Sequence, residues 1–144
     1  MKLRQLSNIV IGSALLAIAG SAAAADIKGA AILDHPCGKV AVKHMGLVHA
    51  GRMDEANKLG SPEMQKQWMA MPAKDRTMMS GMMKDMSVTE QQMAADIKAN
   101  GVLAVNGPAA TLTIKKTQQD KNGSSSTTTT QNYQIAGANC MIAR

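Results

Sequence analysis

Apolar residues recur at three- and four-residue steps through the first two thirds of the chain and alternate near its end. That change of period predicts helices followed by strands. Asp34-His35-Pro36 reads as a helix start, with Pro in the first turn and Asp34 or His35 at the cap. Behind it, Cys37, Val40, Ala41, His44, Leu47, Val48 and Gly51 form one stripe, and Lys39, Lys43 and His49 lie off it. This is an amphipathic helix of about four turns. Residues 52–59 predict a second, short helix closed by Gly60. Ser61-Pro62-Glu63 opens a third, with Ser61 as cap, and Met71-Pro72 interrupts it. A fourth is predicted over 73–86, where Gly81 costs about 1 kcal/mol relative to Ala.

After Val88 the pattern changes. Residues 101–105 read as a strand, and Asn106-Gly107 is a two-residue hairpin signal. The return strand alternates, with Ala110, Leu112 and Ile114 on one face and Thr111, Thr113 and Lys115 on the other. A looser turn over 120–126 leads to a polar, β-branched strand over 127–135, and a last short strand runs from Cys140 to Ala143. The Ser/Thr tract at 124–130 predicts a long hairpin with a loose tip. Helices followed by three to four antiparallel strands make an α+β domain, with the helices packed on a curved sheet. The division expected is a signal peptide over 1–25, an N-terminal extension over 26–35 and a single domain over 36–144.

The order of parts resembles the nuclear transport factor 2-like, or cystatin-like, cone, particularly its small exported domains with no assigned activity. The matching pieces are the leading helix over 38–50, then Gly51-Arg52-Met53-Asp54-Glu55-Ala56, the hairpin over 101–114 and the closing strand over 135–142. One departure is that Cys140-Met141 stands where such domains often carry Trp in the last strand. The resemblance implies a cavity between the leading helix and the sheet. His44, on the apolar stripe, is the pocket candidate that follows from it. Ser87-Val88-Thr89-Glu90-Gln91-Gln92 is also similar to the Leu-Thr-x-x-Gln signature of all-helical periplasmic chaperones of the Spy/CpxP type. With a single imperfect copy, Thr89 reads more simply as a helix cap.

Lys2 and Arg4, the apolar run over 9–19 and Ala23-Ala24-Ala25 predict a secretory signal cleaved before Asp26. The apolar run is shorter than the about 20 residues that span a bilayer, so no integral membrane segment is expected after cleavage. A periplasmic or secreted location follows. Without Lys2 and Arg4 the formal charge falls from +6 to +4, and the remaining basic residues are scattered. Trp68 and Tyr133 are the only aromatics. A nucleic-acid surface clusters its basic residues and interleaves aromatics, so nucleic acid is excluded as a partner.

In an oxidising compartment the two cysteines, Cys37 and Cys140, predict one disulfide. A nucleophilic thiol at Cys37 beside His35 is the competing reading. The compositional oddity is methionine: nine fall between Met64 and Met93, and Phe is absent. Met fills irregular cores and is also a soft thioether ligand suited to Cu(I). On the fourth helix Met78, Met79, Met82 and Met83 read as a core-facing stripe. The alternative is a copper or silver ion held by Met79, Met82, Met83 and Met86, or by a file of Met45, His49 and Met53 if the first helix runs through Gly51. Zinc, nucleotide and esterase signatures are absent. A cone-fold enzyme centred on His44 would need a carboxylate, and Asp96 is the acid placed to approach it. The leading expectation is a binding or accessory domain without catalysis, holding a small apolar ligand or an envelope protein. Soft-metal binding and the His44 enzyme are the alternatives.

Overall fold

Side chains that the sequence places at helix starts set three of the boundaries. In the computed structural model, which describes residues 24–144, His35 caps α1 (Pro36–His49), its Nδ1 accepting from the Cys37 N–H at 3.2 Å. Ser61 caps α3 (Pro62–Ala70) and Thr89 caps α5 (Glu90–Asn100), their hydroxyls accepting from Met64 N–H and Gln92 N–H. Between them lie α2 (Met53–Asn57) and α4 (Ala73–Met86). Pro72 precedes α4, and a proline cannot continue the helix before it. The signal-peptide reading lies almost wholly outside the described residues. Among the described residues no helix is long and apolar enough to cross a membrane.

Five strands, one more than the upper expectation, form one open antiparallel sheet in chain order: β1 (Ala25–Lys28), β2 (Gly101–Asn106), β3 (Ala109–Asp120), β4 (Gly123–Ala136) and β5 (Asn139–Ala143). The additional strand is β1, whose Ile27 lies opposite Leu103 of β2. A six-residue 3-10 helix (Gly29–Asp34) connects it to α1 and buries Ile32 completely. Residues 26–35, expected as an extension, therefore supply a strand and a core residue.

The hairpin between β2 and β3 turns on Gly107-Pro108, one residue later than Asn106-Gly107. Gly107 has φ +57°, which suits the first central position of a type II′ turn. The alternation on β3 is as expected: Ala110, Leu112 and Ile114 are buried. Beyond Ile114, β4 is the only strand paired with β3, and Lys115↔Thr128 to Asp120↔Gly123 continue as a two-stranded ribbon. Residues 124–128 of the Ser/Thr tract belong to this ribbon, which turns at Lys121-Asn122.

The main core joins Ile32, Cys37, Ala41, Met93 and Ile97 to Leu103, Leu112, Ile114, Tyr133 and Ile142. A disulfide links Cys37 to Cys140 and so ties the start of α1 to β5. A second core of Leu47, Val48, Met53, Ala56 and Trp68 lies among the end of α1, α2 and α3. The loop between α2 and α3 lies along β5: Ser61 N–H donates to the Ile142 carbonyl at 2.8 Å, and Ile142 N–H to Leu59 at 3.0 Å. This covers an edge that would otherwise offer unpaired backbone groups.

The expected core-facing methionine stripe on α4 is corrected. None of the 14 residues of α4 is buried, and Met78, Met79, Met82, Met83 and Met86 are all exposed. Arg76 and Ser80, four apart, are the half-buried positions of its middle turns. The methionines share a neighbouring arc of the helix, so their spacing marks a face that lies off the packed side. Gly81 faces open space, with nothing within 4 Å of a Cβ placed there. Gly81→Ala is therefore expected to raise stability by about 0.5–1 kcal/mol, as measured by urea unfolding.

Candidate functional site: a methionine-lined groove beside His44

His44 falls on the buried side of α1, one turn from Ala41 and Val48, but the chain in front of it is not closed off. A groove of about 280 Å³ opens there, lined by residues from α1, α2, α3 and α4, from β4 and from the end of β5. Its walls are His44, Met53, Met64, Trp68, Met71, Met79, Met83 and Ile142, and its polar members are Asn57, Gln67, Gln131 and Arg144. The loop pairing with β5 sets this arrangement, because it brings α3 alongside the end of the sheet.

Trp68 is held in place. Its indole N–H donates to Asp54 Oδ1 at 2.7 Å, and Arg76 approaches the same oxygen at 3.9 Å. The ring is 6% exposed, which makes it a fixed wall. Gln67 contributes an acceptor with no partner. Its Nε2 donates to Glu63 Oε1 at 3.2 Å, while its Oε1 is buried without a hydrogen bond. The Glu63 carboxylate can only accept, so this orientation of the amide is chemically required.

Burial lowers the His44 pKa from 6.5, because the charged imidazolium loses water. The unfolded chain therefore takes up this proton at higher pH than the folded one. His44 contributes stability that is fully present above pH 6.5 and is lost as pH falls from there through the lowered folded pKa. His44→Gln should flatten this acid limb, as read from urea midpoints of both proteins across that window. Equal slopes would contradict the burial of the ring.

The remaining candidates separate. Met53, Met79 and Met83 join His44 in the groove. Met82 and Met86 lie outside it, 59% and 82% exposed. The file of Met45, His49 and Met53 does not exist: α1 ends at His49, Gly51 takes φ +75°, and Met53 begins another helix. Met45 packs against the main core, and exposed His49 lies with Nδ1 3.4 Å from the Ser87 hydroxyl. The approach of Asp96 to His44 is likewise corrected. The Asp96 carboxylate is paired with Lys116, and among the described residues no Asp or Glu lines the groove.

Sequence reasoning missed Trp68, Met64, Met71 and Gln67. Their common signal is α3 itself, whose face could be assigned only once its partner was known. A roomier and more open depression of about 500 Å³ is lined by Leu33, Lys39, Val42, Lys43, Glu90 and Ala94. It gathers no histidine, methionine or aromatic ring. Comparison with protein-family models, curated proteins and solved structures finds no match to this chain.

Proposed function

We propose that the protein is an exported binding domain that holds a small, largely apolar ligand in the groove beside His44. The observation that carries this reading is the convergence of five thioethers, Met53, Met64, Met71, Met79 and Met83, with Trp68 and His44 around one open volume. Methionine side chains are flexible and polarizable, which suits a wall that must adapt to what it holds. The volume is close to the lower end of the about 300–1,000 Å³ typical of drug-sized sites, so the ligand is small. The buried disulfide supports export, because such bonds persist in oxidising compartments. The cone-like resemblance supports a site between the leading helix and the end of the sheet.

Trp68 is the only tryptophan and lines the groove, so it reports on occupancy. Titration with anilinonaphthalene sulfonate should give a saturable change in its emission. Met79→Glu, which puts a charge in the wall at a 40% exposed position, should abolish that change without unfolding the protein. A titration that never saturates, or one that Met79→Glu leaves unaltered, would overturn the proposal.

A further inference from the structure

The groove collects donor atoms of one chemical kind. Met79 and Met83 lie four apart on α4, so their side chains meet on one face, and Met64 and Met71 come from α3 and the residue that follows it. His44 adds an imidazole. Among the described residues no Asp, Glu or Cys lines the groove, and both cysteines are committed to the disulfide. Thioethers and imidazole without an acidic or thiolate side chain suit soft cations and offer little to Mg²⁺ or Ca²⁺.

The geometry points to a binding site for one soft monovalent cation, Cu(I) or Ag(I), formed by His44 with the thioethers of Met79 and Met83 and completed from Met64 or Met71. A neutral imidazole offers a ring nitrogen lone pair to such an ion. The exposed Met78, Met82 and Met86 are not part of the site, and this separates the inference from a general affinity of methionine for these metals. The inference rests on the groove being the binding site, and it names a class of ligand that the apolar reading alone does not require.

The test is a titration of the purified, disulfide-bonded protein with Ag(I), and with Cu(I) under ascorbate against a competing chelator, alongside anilinonaphthalene sulfonate. One equivalent should bind. Met79→Leu/Met83→Leu, and separately His44→Gln, should weaken it by about tenfold or more with unchanged circular dichroism, since even outer-shell changes cost about 10–100-fold in metal affinity. The triple Leu variant at Met78, Met82 and Met86 should bind like the parent. Binding that is lost only in the triple variant would place the ion on the outer face and overturn the inference. Absence of saturable metal binding while the apolar probe still shifts Trp68 would overturn the metal site and leave the groove reading standing. Absence of both would overturn both.

Discussion

Replacing Cys37 and Cys140 together with Ala is expected to lower stability by roughly 2–5 kcal/mol. The two residues are 103 apart in sequence, and closing a loop of about 100 residues is worth ~4.7 kcal/mol in the chain-entropy model. Both cysteines are buried in the main core, so the double replacement also removes packed atoms. The bond joins the start of α1 to β5, the last strand of the meander, and so closes nearly the whole described chain. Against a total of about 5–15 kcal/mol for an ordinary domain, that loss is large. Urea unfolding of the double variant and of the parent, with and without reductant, reads it directly. A reductant-insensitive midpoint in the parent would show that the bond is absent or carries no stability.

Ile32→Ala is expected to cost about 2–5 kcal/mol, towards the upper part of that range. Ile32 is fully buried, and glycines sit against it where the chain passes closest. A Cβ at Gly38 would lie 1.8 Å from the Ile32 carbonyl oxygen, and one at Gly101 would lie 3.0 Å from Ile32 Cδ1. The backbone of α1 and the start of β2 thus form the walls around this side chain. Glycine has no side chain to move into a vacated space, so the cavity cannot close by rotamer changes there. Gly38→Ala is the converse case: its Cβ would meet backbone, which cannot rotate away, so the loss is expected to exceed the about 1–3 kcal/mol typical of core overpacking. A loss below about 1 kcal/mol for Ile32→Ala would show that residues 26–35 are not integral to the core.

Local chemistry was the readable part of this chain. His35, Ser61 and Thr89 are capping residues because their side chains accept from backbone N–H groups two or three residues on, an interaction that needs no partner element. The alternation of Ala110, Leu112 and Ile114 could be read for the same reason. α5 was missed as a full helix because it buries only Met93 and Ile97, too little to make a periodic stripe. β1 was missed because four residues with one inward-facing Ile carry almost no pattern. On α4 the spacing of the methionines gave the helix but not its orientation. Half-buried Arg76 and Ser80 are the positions turned inward, and polar residues there gave no hydrophobic signal. His44, Met79 and Met83 were legible as separate candidates. That they share one groove depends on Leu59 and Ser61 bonding to Ile142, a contact between distant parts of the sequence.

The central claim is that Met79 and Met83, beside His44, line an open binding groove and belong to neither packed core. Nuclear magnetic resonance of isotope-labelled methionine methyl groups tests this most directly, because each thioether reports separately. On titration with a small apolar probe, the methyls of Met64, Met71, Met79 and Met83 should shift together and saturate at one concentration. Those of Met93, in the main core, and Met45, packed against it, should stay in place. Groove methyls that do not move, or a shift of equal size at Met93, would contradict the account.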